Sequence, residues 1–425
     1  MHSPTMQAFN HEYASYLKYL VSAGILECDN QYIPEHKSKG YRFTVRYRNS
    51  YLTKITITNK SLVKKWEAAN FSGRKEHPQL AHWFNYKLSL NTTGATERNE
   101  QFFHEYRNQY DDNLLRKYEY NKLRIAEFAA QHYFFRKDDF AGRIHSNLSN
   151  LPKIFRPFVK YDKQPLASVD IKNCQPYLLT RILQPDFFSK LNHKVYRCGL
   201  LYANVANMVV LENKQRETRA TKKRKGKIKL APKKLRTRKQ AVAQIKDLYE
   251  KLQLAIAEIP LPQLQAYRQA ALDGNLYELF MQQYDLQHGI TITRKQAKLF
   301  FLKILFSSPK WKDTHDTAGK MLFSKMFPAI FKVIELSKSI YKNHLSCLLQ
   351  SMEADIILHR VVPRIARERP NLPLFTIHDS IVTTEGNQEY VKTVLLEECL
   401  EATGFHPVTS IEFWSEDAVQ LSMAA

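Results

Sequence analysis

Two acidic residues stand where β-prone runs stop. In LPLFTIHDSIVTTEG, Leu372 to Gly386, a mostly apolar run enters His378-Asp379 and a second β-prone run, Ile381 to Thr384, follows at once. That pattern predicts a tight hairpin with an acid at its tip. In PLASVDIKNCQPYLLTRIL, Pro165 to Leu183, the residues Leu166, Ser168 and Asp170 share one side of a short strand that ends at Asp170. Gln175, Tyr177 and Leu178 then begin a helix. Two acids at strand ends can converge on one edge of an antiparallel sheet. Such a pair suits two metal ions working on an in-line phosphoryl displacement. Each Mg²⁺ would take one or two carboxylates together with phosphate oxygens and water. The ordinary alternative for either acid is a turn or helix-cap role.

Between the two acids lies TRKQAKLFFLKILFSSP, Thr293 to Pro309. Arg294 and Lys298 are four residues apart and share one helical face. Phe301, Leu302, Leu305 and Phe306 occupy much of the remainder. Two cations beside an aromatic face suit a triphosphate and a base, although a basic amphipathic helix is commonly just solvated on one side.

The rest of the chain must position these groups. Its 425 residues are enough for two or three domains with a sizeable core. With 64 basic and 41 acidic residues the formal charge is +23, which favours a polyanionic partner, nucleic acid first. The stretch from Asn213 to Lys239 holds fourteen Lys or Arg against one Glu, more than half of that net charge. Lys222, Lys223, Arg224 and Lys225 form its densest part. It reads as a solvated electrostatic contact for nucleic acid and not as a rigid element. The five cysteines are scattered without a C-x-x-C, which argues against a zinc site or a disulfide framework and fits a reducing cytoplasm. No apolar run is long enough to span a bilayer, and the first residues do not read as a signal peptide.

Near the N-terminus, Tyr16, Leu17, Leu20 and Val21 recur at helical spacing and Gly24 ends that helix. Ile25-Leu26 and Tyr41 to Val45 are β-prone on either side of a polar turn. A helix followed by a hairpin is the tail of a winged helix, whose wing would carry Lys37, Lys39, Arg42 and Arg46 toward phosphates. A small α/β cap without a ligand is the plainer reading. From Leu62 to Gln131 the sequence is helical and polar, and helices are also expected over Gln240 to Ile259, Leu264 to Leu286 and Thr293 to Phe306.

Taken in order, these motifs resemble the family A DNA polymerases and their relatives, the single-subunit phage-type RNA polymerases. Asp170 corresponds to the first motif's metal-binding aspartate. RKQAK followed by Phe306-Ser307 is similar to the second motif, and IHDS, Ile377 to Ser380, resembles the third. AGRIHSNLSNLPKIFRPF, Ala141 to Phe158, looks like the T-G-R segment, in which Arg143 would touch the primer-template minor groove. LLQSMEADIIL, Leu348 to Leu358, is similar to the Q-G-T-A-A-D helix, in which Gln350 would face the groove near the primer end, with His378 close to the primer terminus. The resemblance covers roughly residues 140 to 386 and leaves the first 130 unmatched. The chain departs from the pattern at Gln175, where the DNA polymerases usually have glutamate, and at Phe306, where both branches usually have tyrosine. Leu302 stands where Phe or Tyr is frequent, and Ser380 follows the last aspartate as in the RNA polymerase branch.

The resemblance implies an α+β right-hand polymerase with an antiparallel palm sheet, helical fingers and a helical thumb-like region. Residues 1–60 would form the winged-helix-like nucleic-acid-binding domain and 61–140 the thumb-like region. Residues 141–185 and 331–425 would form the palm, and 186–330 the fingers with the basic insertion 213–239. The implied activity is template-directed nucleotidyl transfer, foremost by a DNA polymerase without a proofreading exonuclease, of the kind a phage or mobile element carries for DNA replication. A single-subunit DNA-directed RNA polymerase is the second reading, and a degenerate palm acting as a replication initiator is the third. Asp170 and Asp379 would hold two Mg²⁺ ions, with Mn²⁺ as a substitute. Arg294, Lys298, Phe306 and Gln175 would contact the nucleoside triphosphate. The partners would be a DNA primer-template, with RNA as the alternative template or product, and nucleoside triphosphates. A cytoplasmic monomer is expected.

Overall fold

The computed structural model describes residues 6–7, 9–31, 39–48, 56–106, 112–138, 141–188, 238–307 and 314–415. The chain divides into two compact units, Met1–Ser72 and Gly73–Ala425. The basic run from 213 to 237 lies outside the described residues, and so does Lys37.

In the first unit, helix α1 (Tyr13–Ser22) buries Leu17 and stops before Gly24, whose φ of +69° is a conformation that only glycine adopts at no steric cost. Strands β1 (Leu26–Cys28) and β2 (Tyr41–Phe43) then pair antiparallel, with Glu27 opposite Arg42. Two short elements follow, α2 (Val45–Arg48) and α3 (Lys60–Asn70). Helix α3 opens on Asn59, whose side chain accepts from the Leu62 backbone amide. The second β-prone run is shorter than expected, because Val45 opens a helix.

The second unit is α+β and is built around one antiparallel sheet. Helix α4 (Pro78–Ala81) leads to strand β3 (Leu88–Leu90). Two long helices follow, α5 (Thr92–Tyr106) and α6 (Asp112–Ala129), joined across their interface by Asn121 Nδ2 donating to Asn99 Oδ1. A small separate hairpin, β4 (Phe135–Lys137) with β5 (Ile144–Ser146), runs into α7 (Asn147–Asn150), which Ser146 and Ser149 cap reciprocally. Strands β6 (Val159–Tyr161) and β7 (Gln164–Ile171) follow, and then helix α8 (Cys174–Ile182).

Helices continue after residue 237 with α9 (Arg238–Ala257), α10 (Leu261–Leu272), α11 (Leu276–His288) and α12 (Arg294–Phe306). The helical text from Leu264 to Leu286 is interrupted at Gly274, φ +71°, which separates α10 from α11. Next come α13 (Thr314–Met326), α14 (Pro328–Ser337) and α15 (His344–Ala354). A π-helical turn, Asp355–Val361, joins α15 to α16 (Val362–Glu368). The chain closes with β8 (Leu374–Ile377), β9 (Ser380–Thr384), α17 (Gln388–Thr403) and β10 (Thr409–Phe413).

The strand order is β3-β6-β7-β9-β8, with β10 pairing β7 on its other side. Strand β7 is the centre of this arrangement. Leu166, Ala167, Ser168 and Val169 are all buried, so both of its faces are covered in mid-strand. Helix α17 packs against β7 and β9, and the buried Trp414 donates its indole N–H to Ser168 Oγ. Rigid pairing on both sides of β7 fixes the height at which its end emerges, and Asp170 sits at that end. Among the described residues no helix is long and apolar enough to cross a membrane.

Candidate functional site

The hairpin between β8 and β9 is as tight as the sequence predicts. Ile377 pairs with Ser380, so His378 and Asp379 form the whole loop. Right-handed strand twist favours two-residue loops with a positive φ at the first central position, where glycine is usual. Here His378 takes it, at φ +54°. A non-glycine residue in that region costs on the order of 1–3 kcal/mol, which the surrounding structure must offset.

The register of the sheet brings the two acids together. Asp170 on β7 lies directly opposite Ser380 on β9, the residue after Asp379. Ser380 Oγ donates to Asp170 Oδ1 at 2.6 Å. The acids thus sit at the same end of two adjacent, hydrogen-bonded strands. Burial pushes Asp379 up to about 8, and the nearby carboxylates of Glu353 and Asp170 add to the effect. This end of the sheet concentrates negative charge that a cation would neutralise.

Glu353, on α15, is the residue that the sequence reading passed over. It is 2% exposed. Its Oε2 forms an ion pair with Arg143 and accepts from Gln175 Nε2 at 2.6 Å. Cys174 Sγ stands 3.8 Å from the same oxygen. Burial raises the Glu353 carboxyl, while Arg143 pulls it back down. One oxygen each of Glu353 and Asp379, together with Cys174 Sγ, lie within 4.8 Å of one another. A sequence signal for Glu353 exists. Leu345, Leu349, Met352 and Ile356 make the buried stripe of this helix, and Glu353 follows Leu349 by four residues, inside the stripe.

The remaining expected residues are distributed around this centre. Arg143 leaves β4–β5 toward Glu353, so its guanidinium is anchored within the protein. Gln350 is half-buried on α15, one turn before Glu353. The His378 ring is exposed and stands 6.0 Å from the His145 ring. Desolvation, then the charges of Arg143, His145 and Arg156, push its pKa down.

Helix α12 begins with a reciprocal cap between Thr293 and Gln296. Arg294 is held by Glu278 at 2.6 Å, reaches Asn173 Oδ1 at 3.4 Å, and lies 5.2 Å from the centre of the Tyr277 ring. Asn173 precedes α8 just past Asp170, at φ +53° and without a side-chain cap bond, so Arg294 links the start of α12 to the loop that carries the first acid. Lys298, one turn further on, is exposed and has no hydrogen-bond or ion-pair partner among the described residues. Phe306, at the end of the helix, is half-buried against the core. In the first unit, Arg42 pairs with Glu27 at 2.8 Å and Lys39 is exposed. Lys222, Lys223, Arg224 and Lys225 lie outside the described residues.

The close group of Glu353, Asp379 and Cys174 combines two hard carboxylates with one soft thiol and does not include Asp170; its carboxylate oxygens suit Mg²⁺ or Mn²⁺. A fully buried Glu353 Oε1 without a partner among the described residues is consistent with a cation in this place.

No protein-family model matches the chain, and no curated protein matches it. Among solved structures, the chain is similar to the POL domain of Pol1 from M. smegmatis, determined in complex with DNA primer-template and dNTP. The TM-score is 0.34 and the identity 14%, over 72% of this chain and 52% of that one. The chain therefore spans about half the length of that structure.

Proposed function

We propose that the chain is a template-directed nucleotidyltransferase, foremost a DNA polymerase, with the β7–β9 sheet end as its catalytic centre. The observation that carries this reading is the convergence of Asp170 and Asp379. They lie far apart in sequence and reach neighbouring strand ends through the Asp170–Ser380 pairing. The order of the surrounding motifs supports it, as does the +23 charge, which favours a nucleic-acid partner.

In this reading Asp170 and Asp379 would hold two Mg²⁺ ions, which would supply neutralisation of phosphate charge and a lowered pKa for the attacking 3′-hydroxyl. Ser380 holds the Asp170 carboxylate in one orientation. Lys298, without a partner among the described residues, binds the triphosphate, while Arg294 fixes the N-terminus of α12 to the Asp170 loop. Phe306 and Gln175 border the sugar and base. Gln350 and His378 face the primer-template, and Arg143 acts from its anchored position beside Glu353. The sheet with α15 and α17 is the palm, α9 to α13 belong to the fingers, and α5 with α6 is the thumb-like region. The first unit, with its exposed Lys39, is a winged-helix-like contact for nucleic acid.

The second reading is a single-subunit RNA polymerase. Ser380 after the last aspartate and Gln175 in place of the usual glutamate favour it. One experiment tests both readings: primer extension by the full chain with Mg²⁺, comparing dNTPs with NTPs on DNA and RNA templates. Elongation with dNTPs on DNA supports the first reading, and elongation with NTPs alone supports the second. No product in any combination would reject both.

A further inference from the structure

Glu353 belongs to neither strand end, yet it reaches the same place. Its two oxygens are used unequally. Oε2 faces Arg143, Gln175 and Cys174. Oε1 is buried and has no hydrogen-bond partner among the described residues, in a side chain 2% exposed. A carboxylate oxygen can only accept, and a buried one without a donor is a costly arrangement. Around it stand two further acids, Asp379 and Asp170, and one arginine, Arg143, so the local charge is unbalanced toward the negative.

We propose that Glu353 is a third carboxylate ligand of the divalent cation held by Asp379, with Oε1 as the ligand atom. This rests on the reading of Asp379 as a metal ligand. Two oxygens on one Mg²⁺ or Mn²⁺, each roughly 2.0–2.2 Å from the ion, stand no more than about 4.5 Å apart. One oxygen of Glu353 and one of Asp379 lie within 4.8 Å of each other, so at most a small closure brings the two carboxylates onto one ion. The division of labour explains the contacts on Oε2, since Arg143 and Gln175 hold the carboxylate while its other oxygen meets the ion. Outer contacts of this kind orient metal ligands. Cys174 is a soft ligand and takes no part in holding a hard ion; its thiol faces Oε2.

The test is a Mn²⁺ titration of the full chain without nucleic acid or nucleotide, following the electron paramagnetic resonance signal of free Mn²⁺. Wild type is expected to bind Mn²⁺. Glu353→Gln, which keeps the shape, should weaken binding at least about tenfold. Glu353→Asp should fall between the two, and Cys174→Ser should leave the affinity within about twofold. Circular dichroism melting shows whether each variant is folded, and Glu353→Asp decides the matter if Glu353→Gln does not fold. Wild-type affinity in the Glu353 variants, with binding lost in Asp379→Asn, would overturn the role of Glu353 and leave Asp379 in place. It would mean that a proton or a water satisfies Oε1. Absence of Mn²⁺ binding by wild type, or binding unaffected in both Glu353→Gln and Asp379→Asn, would remove the three-carboxylate site together with the reading of Asp379.

Discussion

Ser380 Oγ donates a 2.6 Å hydrogen bond to Asp170 Oδ1, between residues that are also direct partners where β9 meets β7. The bond joins the residue after one acid to the other acid. Any shift in strand register would therefore separate Asp170 from Asp379, because a slip of one residue sends every side chain to the opposite face.

Ser380→Ala removes that bond without disturbing the strand. A hydrogen bond to a charged group is worth roughly 1.5–3 kcal/mol, so nucleotide incorporation should fall about tenfold to a hundredfold. The Mg²⁺ concentration for half-maximal rate should rise at the same time. An unchanged Mg²⁺ dependence would show that Ser380 serves the sheet and not the carboxylate.

Lys298 and Arg294 should behave differently although they share a helical face. Lys298 has no internal partner among the described residues, so Lys298→Ala should raise the KM for nucleoside triphosphate about tenfold or more with little change in Tm. Arg294 is tied to Glu278 and Asn173, so Arg294→Ala should lower Tm as well as activity. Equal effects on Tm from the two substitutions would contradict this division.

The acids predict a pH dependence of stability. Asp379 is pushed up to about 8 by burial and then by Glu353 and Asp170, against about 3.9 for an unfolded aspartate. The folded state then holds a proton that the unfolded state has lost. Without divalent cations, stability should fall as pH rises from about 4 to about 8. Asp379→Asn should flatten that slope, and Mg²⁺ should restore stability at the alkaline end. Melting curves across this range, with and without Mg²⁺, read both effects. A slope unchanged in Asp379→Asn would assign it to other groups.

The strand end at Asp170 and the tight hairpin at His378-Asp379 were legible because local rules act on short stretches. Asp170 and Asp379 were visible since each follows an apolar, β-prone run, and His378-Asp379 left room for only a two-residue loop. A helix over Thr293 to Phe306 was expected from the sequence and α12 spans Arg294–Phe306, whereas its Thr293–Gln296 cap emerged only from the structure. Glu353 was harder to see, since nothing in LLQSMEADIIL indicates which neighbours a buried acid meets. Arg143, Cys174 and Gln175 come from two other parts of the chain, and only the tertiary fold brings them together. Arg294 illustrates the same point, because its contact with Asn173 depends on the loop that carries Asp170. The π-helical turn at Asp355–Val361 was also invisible, as its apolar pattern does not differ from that of an ordinary helix.

Phe306 tests the choice of sugar. It is half-buried at the end of α12, two helical turns beyond Lys298, and has no hydroxyl to report on a ribose 2′ position. Phe306→Tyr should change the ratio of kcat/KM for a dNTP over its NTP while leaving base fidelity nearly as it was. Competitive incorporation on one template measures it. An unchanged ratio would mean that Phe306 only packs against the core.

The most direct test compares Asp379→Asn and Asp170→Asn with wild type in two assays on the same samples: single-nucleotide addition with Mg²⁺, and primer-template affinity. Phosphate contacts from basic side chains supply most of the affinity for nucleic acid, so both variants should bind primer-template almost as wild type does. Addition should be lost in both. Near-normal addition by either variant would contradict the assignment of the two acids as the catalytic pair.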